Sequence, residues 1–117
     1  MDPLRRTLTN PDMDRLGRVM NLLRMLDKEV PAQALAVLFY IASHDNCHKT
    51  AIEEDLNMPN SSTSRNIDRL TEHHRLNKAG MGLVIKEEDP SNRRRLQLKL
   101  SHKGHELMKQ IEAILYG

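Results

Sequence analysis

Two clusters of side chains in this sequence have the types and spacing needed to bind a polyanion. The first is a run of short polar residues with arginine, comprising Asn60, Ser61, Ser62, Ser64 and Arg65, with Arg69 on its flank. The second is an arginine triplet that follows a turn-forming sequence, namely Arg93, Arg94 and Arg95. Hydroxyl and amide groups hydrogen-bond phosphates and base edges, and arginine can donate two hydrogen bonds to guanine. The two clusters therefore predict contacts with nucleic acid.

The charge distribution places both clusters in the basic part of the chain. The chain has 117 residues and a net charge of only +2. Residues 59–105 nonetheless carry ten Lys or Arg against five Asp or Glu, whereas residues 1–58 carry seven against nine. A polyanion would therefore meet the middle of the chain. By charge alone, an ordinary solvated surface is an equally good interpretation.

Apolar periodicity predicts three helices before the first cluster. The first covers residues 12–28, with Asp12 or Asp14 as its cap, and carries more apolar surface than one neighbouring helix would cover. The second begins at Pro31, whose missing N–H does no harm at a helix start. The third begins near Thr50, which has a glutamate three residues later, as in a capping box.

The first cluster lies on a fourth predicted helix, which begins near Asn60. Its inward side is a narrow stripe at positions i, i+4 and i+7, formed by Thr63, Ile67 and Leu70. Stepping about 100° per residue from this stripe turns Ser61 and Arg65 outward. Short side chains there would let the helix enter a major groove, and the helix N-terminus adds amide groups for phosphate. On its own, a solvated polar face is the alternative interpretation.

The arginine triplet lies at the tip of a predicted β-hairpin. Strands are predicted at residues 83–88 and 96–100, the latter from alternation of apolar and polar residues. The Asp89-Pro90 sequence between them predicts a turn. At the tip, Arg94 and also Arg93 would be free to reach a minor groove or a phosphate. We expect Asp89 to pair with one of the arginines and stiffen the tip. A charged edge that prevents aggregation is the alternative.

The order of these elements predicts a mostly α protein with a small β-hairpin, that is, a winged helix-turn-helix. Its single domain, residues 1–117, would comprise an extended arm at 1–11, dimerisation helices at 12–28 and 101–116, a helix-turn-helix region at 32–76 and a wing at 83–100. Ser101 is expected to cap the last helix. The first and last helices are amphipathic enough to form a dimer interface. The residues expected there are Leu16, Met20, Leu23, Ile111, Ile114 and Leu115.

Two stretches of the sequence resemble the MarR family of transcriptional regulators. LNMPNSSTSRNIDRL, residues 56–70, is similar to their helix-turn-helix, and DPSNRRRLQLKLSHKG, residues 89–104, is similar to their wing and the start of the next helix. The resemblance implies a homodimer on double-stranded DNA, with two recognition helices in successive major grooves of an inverted repeat. It also implies wing arginines in the flanking minor grooves. Many such proteins repress transcription, and many release DNA when a small-molecule effector binds.

The chain departs from the family pattern at three places. The stretch between the fourth predicted helix and the hairpin, residues 71–81, is several residues longer than the short link that is usual in the family. The chain ends at Gly117, before a final dimerisation helix that is common in the family, so the dimer is expected to rest on residues 12–28 and 105–115. Ser91 stands where an arginine is common.

Other site chemistries have weaker support in the sequence. Residue types that bind metals occur at His44, Asp45, Cys47 and His48, and again at His102 and His105. Cys47 beside His48 could also act as a redox switch. No phosphate loop, nucleophile elbow or HExxH motif is present, so neither an enzyme nor a cofactor is predicted.

The remaining alternatives concern the setting and the partner. A single cysteine, no signal peptide and no apolar run of membrane-spanning length predict a cytoplasmic protein with no membrane partner. A winged-helix module that binds protein is one rival, and a phage or plasmid DNA-binding protein in replication or partition is another. A protein-binding module would differ from a DNA-binding regulator in the salt dependence of its binding, because phosphate contacts weaken steeply with salt. A general DNA-binding protein would differ from a regulator in sequence selectivity.

Overall fold

A computed structural model describes residues 6–72 and 79–117, which form five α-helices and a three-stranded antiparallel sheet. In chain order the elements are α1 (Pro11–Leu26), α2 (Ala32–Ser43), β1 (Cys47–His48), α3 (Lys49–Asp55), α4 (Asn60–Leu70), β2 (Val84–Asp89), β3 (Asn92–Leu100) and α5 (His102–Tyr116). This architecture confirms the predicted mostly α winged helix-turn-helix. Residues 1–5 of the expected arm and residues 73–78, which include the end of the expected helix-turn-helix region, lie outside the described residues.

The start of α1 differs from the sequence prediction. Its N-cap is Asn10, whose Oδ1 accepts a hydrogen bond from the Met13 amide at 3.3 Å. Asp12 and Asp14 are instead inside the first turn, where each pairs with an arginine three or four residues on. Pro11 suits the first helical position because its fixed φ matches the helix. The helix therefore begins one residue earlier than predicted.

A third strand, β1, was not predicted from the sequence. The sheet has the strand order β1-β3-β2, and β1 pairs with β3 through Cys47↔Leu98 and His48↔Gln97. Because β1 uses residues 47 and 48, α3 begins directly after it and has His48 as its N-cap. The capping box predicted at Thr50 is therefore wrong: Thr50 lies inside the helix.

The start of α5 confirms its predicted cap. The Ser101 Oγ accepts a hydrogen bond from the Gly104 amide at 3.0 Å and donates one to the Gly82 carbonyl at 2.6 Å. A Cβ at Gly104 would lie 2.2 Å from the Leu83 carbonyl oxygen, so only glycine permits this close approach of α5 to the strand. These contacts join the last helix to the base of the hairpin.

The chain between α4 and β2 folds back on the end of α4. The Leu83 amide donates to the Leu70 carbonyl at 2.8 Å, and the Gly80 amide donates to the Glu72 carbonyl at 3.0 Å. A Cβ at Gly80 would lie 1.8 Å from the Thr71 carbonyl oxygen, so this approach also needs glycine. The two ends of the segment between residues 72 and 80 are therefore held together by backbone hydrogen bonds.

The core lies between the helices and the inner face of the sheet, and it includes two residues expected elsewhere. Its largest fully buried side chains are Leu23, Leu38, Ile52, Ile67, Leu70, Leu83, Leu98, Val37 and Thr63. Leu23 is 0% exposed within this one chain, so its side chain packs in the core and not on an open dimer surface. Ile111 is 6% exposed and lines an open cavity between α1, α2 and α5. Within residues 6–72 and 79–117, no helix has the length and apolar character needed to cross a membrane.

Candidate nucleic-acid interface

The turn between α3 and α4 sets the direction of α4. Asn57 has a φ of 50°, a left-handed conformation that asparagine adopts more readily than most residues. The Met58 amide then donates to the Glu53 carbonyl at 2.9 Å. The Pro59 carbonyl accepts from both the amide and the Oγ1 of Thr63, each at 2.9 Å. Together these bonds fix the first turn of α4 without a side-chain cap.

The inward side of α4 is wider than its sequence stripe. Thr63, Ile67 and Leu70 are buried as predicted, at 0%, 1% and 0% exposure. Asn66, which was not predicted to be buried, is only 7% exposed. Its Nδ2 donates to the Ser62 carbonyl at 2.9 Å and to Oε1 of Gln33 at 3.2 Å. The hydrogen bond to Gln33 of α2 anchors the middle of α4 and helps to fix which side of the helix faces the core.

The outward side of α4 presents most of the first predicted cluster. Asn60, Ser61 and Arg65 are exposed, whereas Ser62 and Ser64 are half-buried. Asn60 donates to Oε1 of Glu53, at 3.4 Å. Arg65 takes part in none of the salt bridges found among the described residues. The N-terminal half of α4 thus offers short polar side chains and one unpaired arginine to solvent.

Arg69 does not belong to this surface. Its Nε and Nη2 donate to Oδ2 and Oδ1 of Asp27 at 2.8 and 3.0 Å, which ties the last turn of α4 to the end of α1. The side chains of Arg69 and Asp27 are only 24% and 20% exposed. The hydrogen bonds to Asp27 raise the pKa of Arg69 above its usual value. The sequence predicted that Arg69 contacts DNA; in the structure two of its five N–H donors bond Asp27, which directs the guanidinium to the end of α1.

A salt bridge that the sequence did not indicate joins α4 to the hairpin. Lys86 of β2 donates to the Asp68 carboxylate on α4. Residues 86 and 68 are 18 positions apart, so no local spacing rule relates them. The bridge connects α4 to the hairpin through a partly exposed contact.

The arginine triplet lies in an irregularity of the hairpin. Glu88 pairs with Leu96, but the next residue, Asp89, pairs with Asn92, so three residues of β3 have no partner on β2. Those three residues are Arg93, Arg94 and Arg95. Arg94 and Arg95 are exposed, and the side chain of Arg93 lies outside the described part of the chain. The exposed Arg94 and Arg95 therefore belong to the part of β3 that has no partner on β2.

Asp89 stabilises the turn before these arginines, although not through an arginine. Its Oδ1 accepts from the Ser91 amide at 2.9 Å and from the Ser91 Oγ at 2.7 Å, and its Oδ2 lies 2.8 Å from Nε2 of His48. These hydrogen bonds, those from Ser91 first, lower the pKa of Asp89 to about 2. Among the described side chains, Asp89 thus pairs with Ser91 and with His48 of β1, and with neither Arg94 nor Arg95.

The residues considered for metal or redox chemistry are dispersed. The ring of His44 stacks on Tyr40 at a centroid distance of 4.0 Å, whereas His48 pairs with Asp89. In the described residues, no three His, Cys, Asp or Glu side chains are placed to hold a metal ion. Cys47 is buried, and burial raises the pKa of its thiol to about 11. His48 therefore does not activate this thiol.

An apolar surface on α1 and α5 remains open to solvent. Leu16 and Met20 are 49% and 44% exposed, and Ile114 and Leu115 are half-buried. Leu16, Met20 and Leu115 also border an open cavity of about 610 Å³ between α1, α2 and α5. For these four residues the dimer surface stays a prediction, and Ile111 borders the same cavity.

The chain is similar to solved structures, whereas comparison of its sequence with known families and proteins found no match. No family model matches the sequence, and no curated protein matches it. Among solved structures, S. aureus MepR in complex with DNA has a TM-score of 0.68 and 17% identity, over 87% of this chain and 77% of that chain. The structure of MarR has a TM-score of 0.59 and 20% identity, over 90% and 75%. PcaV from Streptomyces coelicolor has a TM-score of 0.60 and 20% identity, over 92% and 76%.

The chain has the MarR-type winged-helix fold. The resemblance noted at residues 56–70 and 89–104 is thus confirmed for the fold. In this fold, α3 and α4 form the helix-turn-helix, and β2 with β3 forms the wing. The first and last helices of the described structure, α1 and α5, pack on each other.

Proposed function

We propose that this protein is a sequence-specific regulator of transcription that binds double-stranded DNA through α4 and the wing. The observation that carries the proposal is the β3 irregularity that displays Arg94 and Arg95. A charged strand edge that only prevents aggregation would not require its arginines to lie outside the pairing of β2 with β3. MepR, which shares the fold, is described in complex with DNA.

The contacts divide into two kinds. Ser61 and Arg65 enter the major groove with the N-terminal half of α4, where Arg65 can donate two hydrogen bonds to guanine O6 and N7. Arg94 and Arg95, together with Arg93, reach the minor groove or flanking phosphates. The first kind of contact reads sequence and the second adds affinity that falls with salt.

We further propose that the protein acts as a homodimer on an inverted repeat and represses transcription by occupying its operator. Leu16 and Met20 on α1 and Ile114 and Leu115 on α5 form the surface that a second copy covers. Exposed apolar side chains grouped on two adjacent helices favour such association. A symmetric pair of chains presents two recognition helices, so the operator must repeat the half-site in inverted order.

A small-molecule effector is a second proposal that the same region supports. The cavity of about 610 Å³ between α1, α2 and α5 falls in the range of small-molecule sites and has a mainly apolar lining. PcaV is described in complex with its natural ligand. An effector there would act on α1 and, through the Asp27–Arg69 bridge, on α4.

Selection of a random duplex library on the purified protein at physiological salt tests the proposal. We expect an enriched inverted repeat whose half-sites lie about 10–10.5 base pairs apart, centre to centre. Retention of DNA without enrichment would make the protein a general DNA binder, as in replication or partition. Failure to retain DNA at low salt would contradict the proposal and favour a protein partner.

Variants of two arginines separate the two kinds of contact. Arg65→Ala should relax selectivity at one base pair per half-site, at a loss of about 1–3 kcal/mol. Arg94→Ala should weaken binding to all sequences and flatten the salt dependence. Arg18→Ala is the matched control, because it removes the same charge from an exposed position on α1. Equal losses in all three variants would contradict the assignment of the interface.

A further inference from the structure

Arg69 and Asp27 join the end of α4 to the end of α1 by a salt bridge with a defined direction. Nε and Nη2 of Arg69 donate to the two carboxylate oxygens of Asp27, at 2.8 and 3.0 Å. A bidentate pair of this kind restricts the relative orientation of its two groups as well as their distance. The bridge therefore relates the direction of one helix end to that of the other.

Asp27 is itself held by the backbone at the end of α1. Its amide donates to the Leu23 carbonyl at 3.1 Å, and its carbonyl accepts from the Val30 amide at 3.2 Å. Its Oδ1 also accepts a hydrogen bond from the Glu29 amide at 3.0 Å. The carboxylate is thus fixed to the C-terminal end of α1 and to the turn that follows it, which makes it a rigid partner for Arg69.

The end of α4 is bonded in two different directions. Arg69 reaches α1, and its carbonyl accepts from the Met81 amide at 3.0 Å. The preceding residue, Asp68, pairs instead with Lys86 of β2. The Arg69 bridge therefore concerns the position of α4 relative to α1, whereas the Lys86 bridge concerns the position of α4 relative to the hairpin.

The two helices that the Arg69 bridge joins belong to different parts of the fold. α1 packs chiefly on α5, whereas α4 packs chiefly on α2 and α3. α1 and α5 carry the surface proposed for a second copy, and α4 carries the side chains proposed for the major groove. In a dimer, the distance between the two α4 helices therefore depends on how each α4 is held relative to its own α1.

We propose that Asp27 and Arg69 are positioning residues that set how far apart, and at what angle, a dimer holds its two α4 helices. The inference rests on the proposed function, since it concerns two copies on one operator. Neither residue has to touch DNA. The pair determines which half-site spacing the protein accepts, whereas Arg65 determines which base pair it reads.

Half-site spacing is a sensitive measure of this geometry. Two extra base pairs move the second half-site by about 7 Å along the DNA and turn it by about 70° around the axis. A dimer whose α4 helices are rigidly held therefore binds one spacing best. If each α4 can tilt relative to α1, the dimer accepts several spacings. A general loss of stability would instead lower binding by the same factor at every spacing.

Competition between operators of different spacing tests the inference, with the half-site sequence kept constant. We expect Arg69→Ala and Asp27→Asn to reduce the preference for the best spacing over one two base pairs longer by about three- to tenfold, as for residues that couple two sites. Arg69→Lys can keep one contact and should retain part of the preference. Lys86→Ala is the matched control, because it breaks the other bridge of α4 and should keep the wild-type preference.

A distance measurement without DNA keeps the inference separate from the proposed function. Spin labels on Arg18→Cys in α1 and Arg65→Cys in α4 report the distance between the two helices, in protein diluted with unlabelled copies. Cys47 is buried, and burial raises the pKa of its thiol to about 11, so the label reacts at the introduced cysteines. We expect a narrow distance distribution with the pair intact and a broader one in Arg69→Ala and Asp27→Asn.

The outcomes separate the two ideas. Broader distances in protein that binds no DNA would leave the pair in its role of positioning α4 on α1 and would contradict the proposed function. An unchanged spacing preference in both variants, or an equal loss of affinity at every spacing, would overturn the inference. Distance distributions as narrow in both variants as in the wild type would overturn it as well.

Discussion

Replacement of Arg69 by alanine separates an arginine that holds the fold from one that contacts DNA. Arg69 donates two charge-assisted hydrogen bonds to Asp27, at 2.8 and 3.0 Å, from side chains that are about one-quarter exposed or less. A hydrogen bond to a charged group contributes about 1.5–3 kcal/mol when buried, and partial exposure reduces this. We expect Arg69→Ala to lower the free energy of unfolding by about 1–3 kcal/mol, since it also leaves Asp27 with less compensation.

Urea unfolding is the assay, and Arg65→Ala is the control on the same helix. Arg65 is exposed, so its replacement should change the free energy of unfolding by no more than about 0.5 kcal/mol. For Arg69→Ala the midpoint should fall while the slope against urea stays constant, as expected for a change in stability alone. Arg69→Lys, which can keep one of the two contacts, should lie between the wild type and Arg69→Ala.

Two results would refute this assignment. The first is an unfolding midpoint for Arg69→Ala equal to that of the wild type. The second is a loss of DNA selectivity in Arg69→Ala at a single base pair, with stability unchanged. The first result would make the contact of Arg69 with Asp27 incidental to stability, and the second would return Arg69 to the DNA surface.

Three further predictions concern the core, the thiol and acid stability. Leu23→Ala should lower the free energy of unfolding by about 2–5 kcal/mol in urea titrations. Met20→Ala, at an exposed site, should chiefly weaken self-association in sedimentation experiments. If Met20→Ala destabilised the fold and Leu23→Ala only weakened self-association, the placement of Leu23 in the core would be contradicted. Because the pKa of Cys47 is raised to about 11, iodoacetamide at pH 8 should alkylate the native protein far more slowly than the urea-unfolded chain; similar rates would disprove its burial. The pKa of Asp89 is lowered to about 2. An unfolded aspartate has a pKa of about 3.9, so the stability that Asp89 contributes is present above pH 4 and lost as the pH falls to about 2. In thermal unfolding, the melting temperature of Asp89→Asn should fall less between pH 4 and pH 2 than that of the wild type.

Local sequence patterns were sufficient where the physical cause is itself local. The stripe of Thr63, Ile67 and Leu70 follows from helix periodicity, and the cap at Ser101 follows from its hydroxyl and the helix that begins after it. The Asp89 turn was likewise found from its composition, because the carboxylate bonds a backbone amide two residues on. These features would be recognisable in an isolated peptide.

Features that depend on distant partners were missed. The bridge between Arg69 and Asp27 joins residues 42 positions apart, and the pair of His48 and Asp89 spans 41. Periodicity placed Leu23 and Met20 on one apolar stripe of α1, but whether such a residue faces its own chain or a second copy depends on α5 and α2. The strand β1 is two residues long, which is too short for any alternation to show.

The backbone hydrogen bond from the Gly80 amide to the Glu72 carbonyl has a consequence for how such a protein can diversify. With its N and O atoms 3.0 Å apart, it joins the two ends of the intervening segment. Each doubling of a closed loop's length costs only about 0.6 kcal/mol of chain entropy. Insertions and deletions in this segment can therefore accumulate in a lineage without re-aiming either α4 or the wing. The same point in the chain would accept an engineered tag or a fluorescent reporter while α4 and the wing keep their geometry.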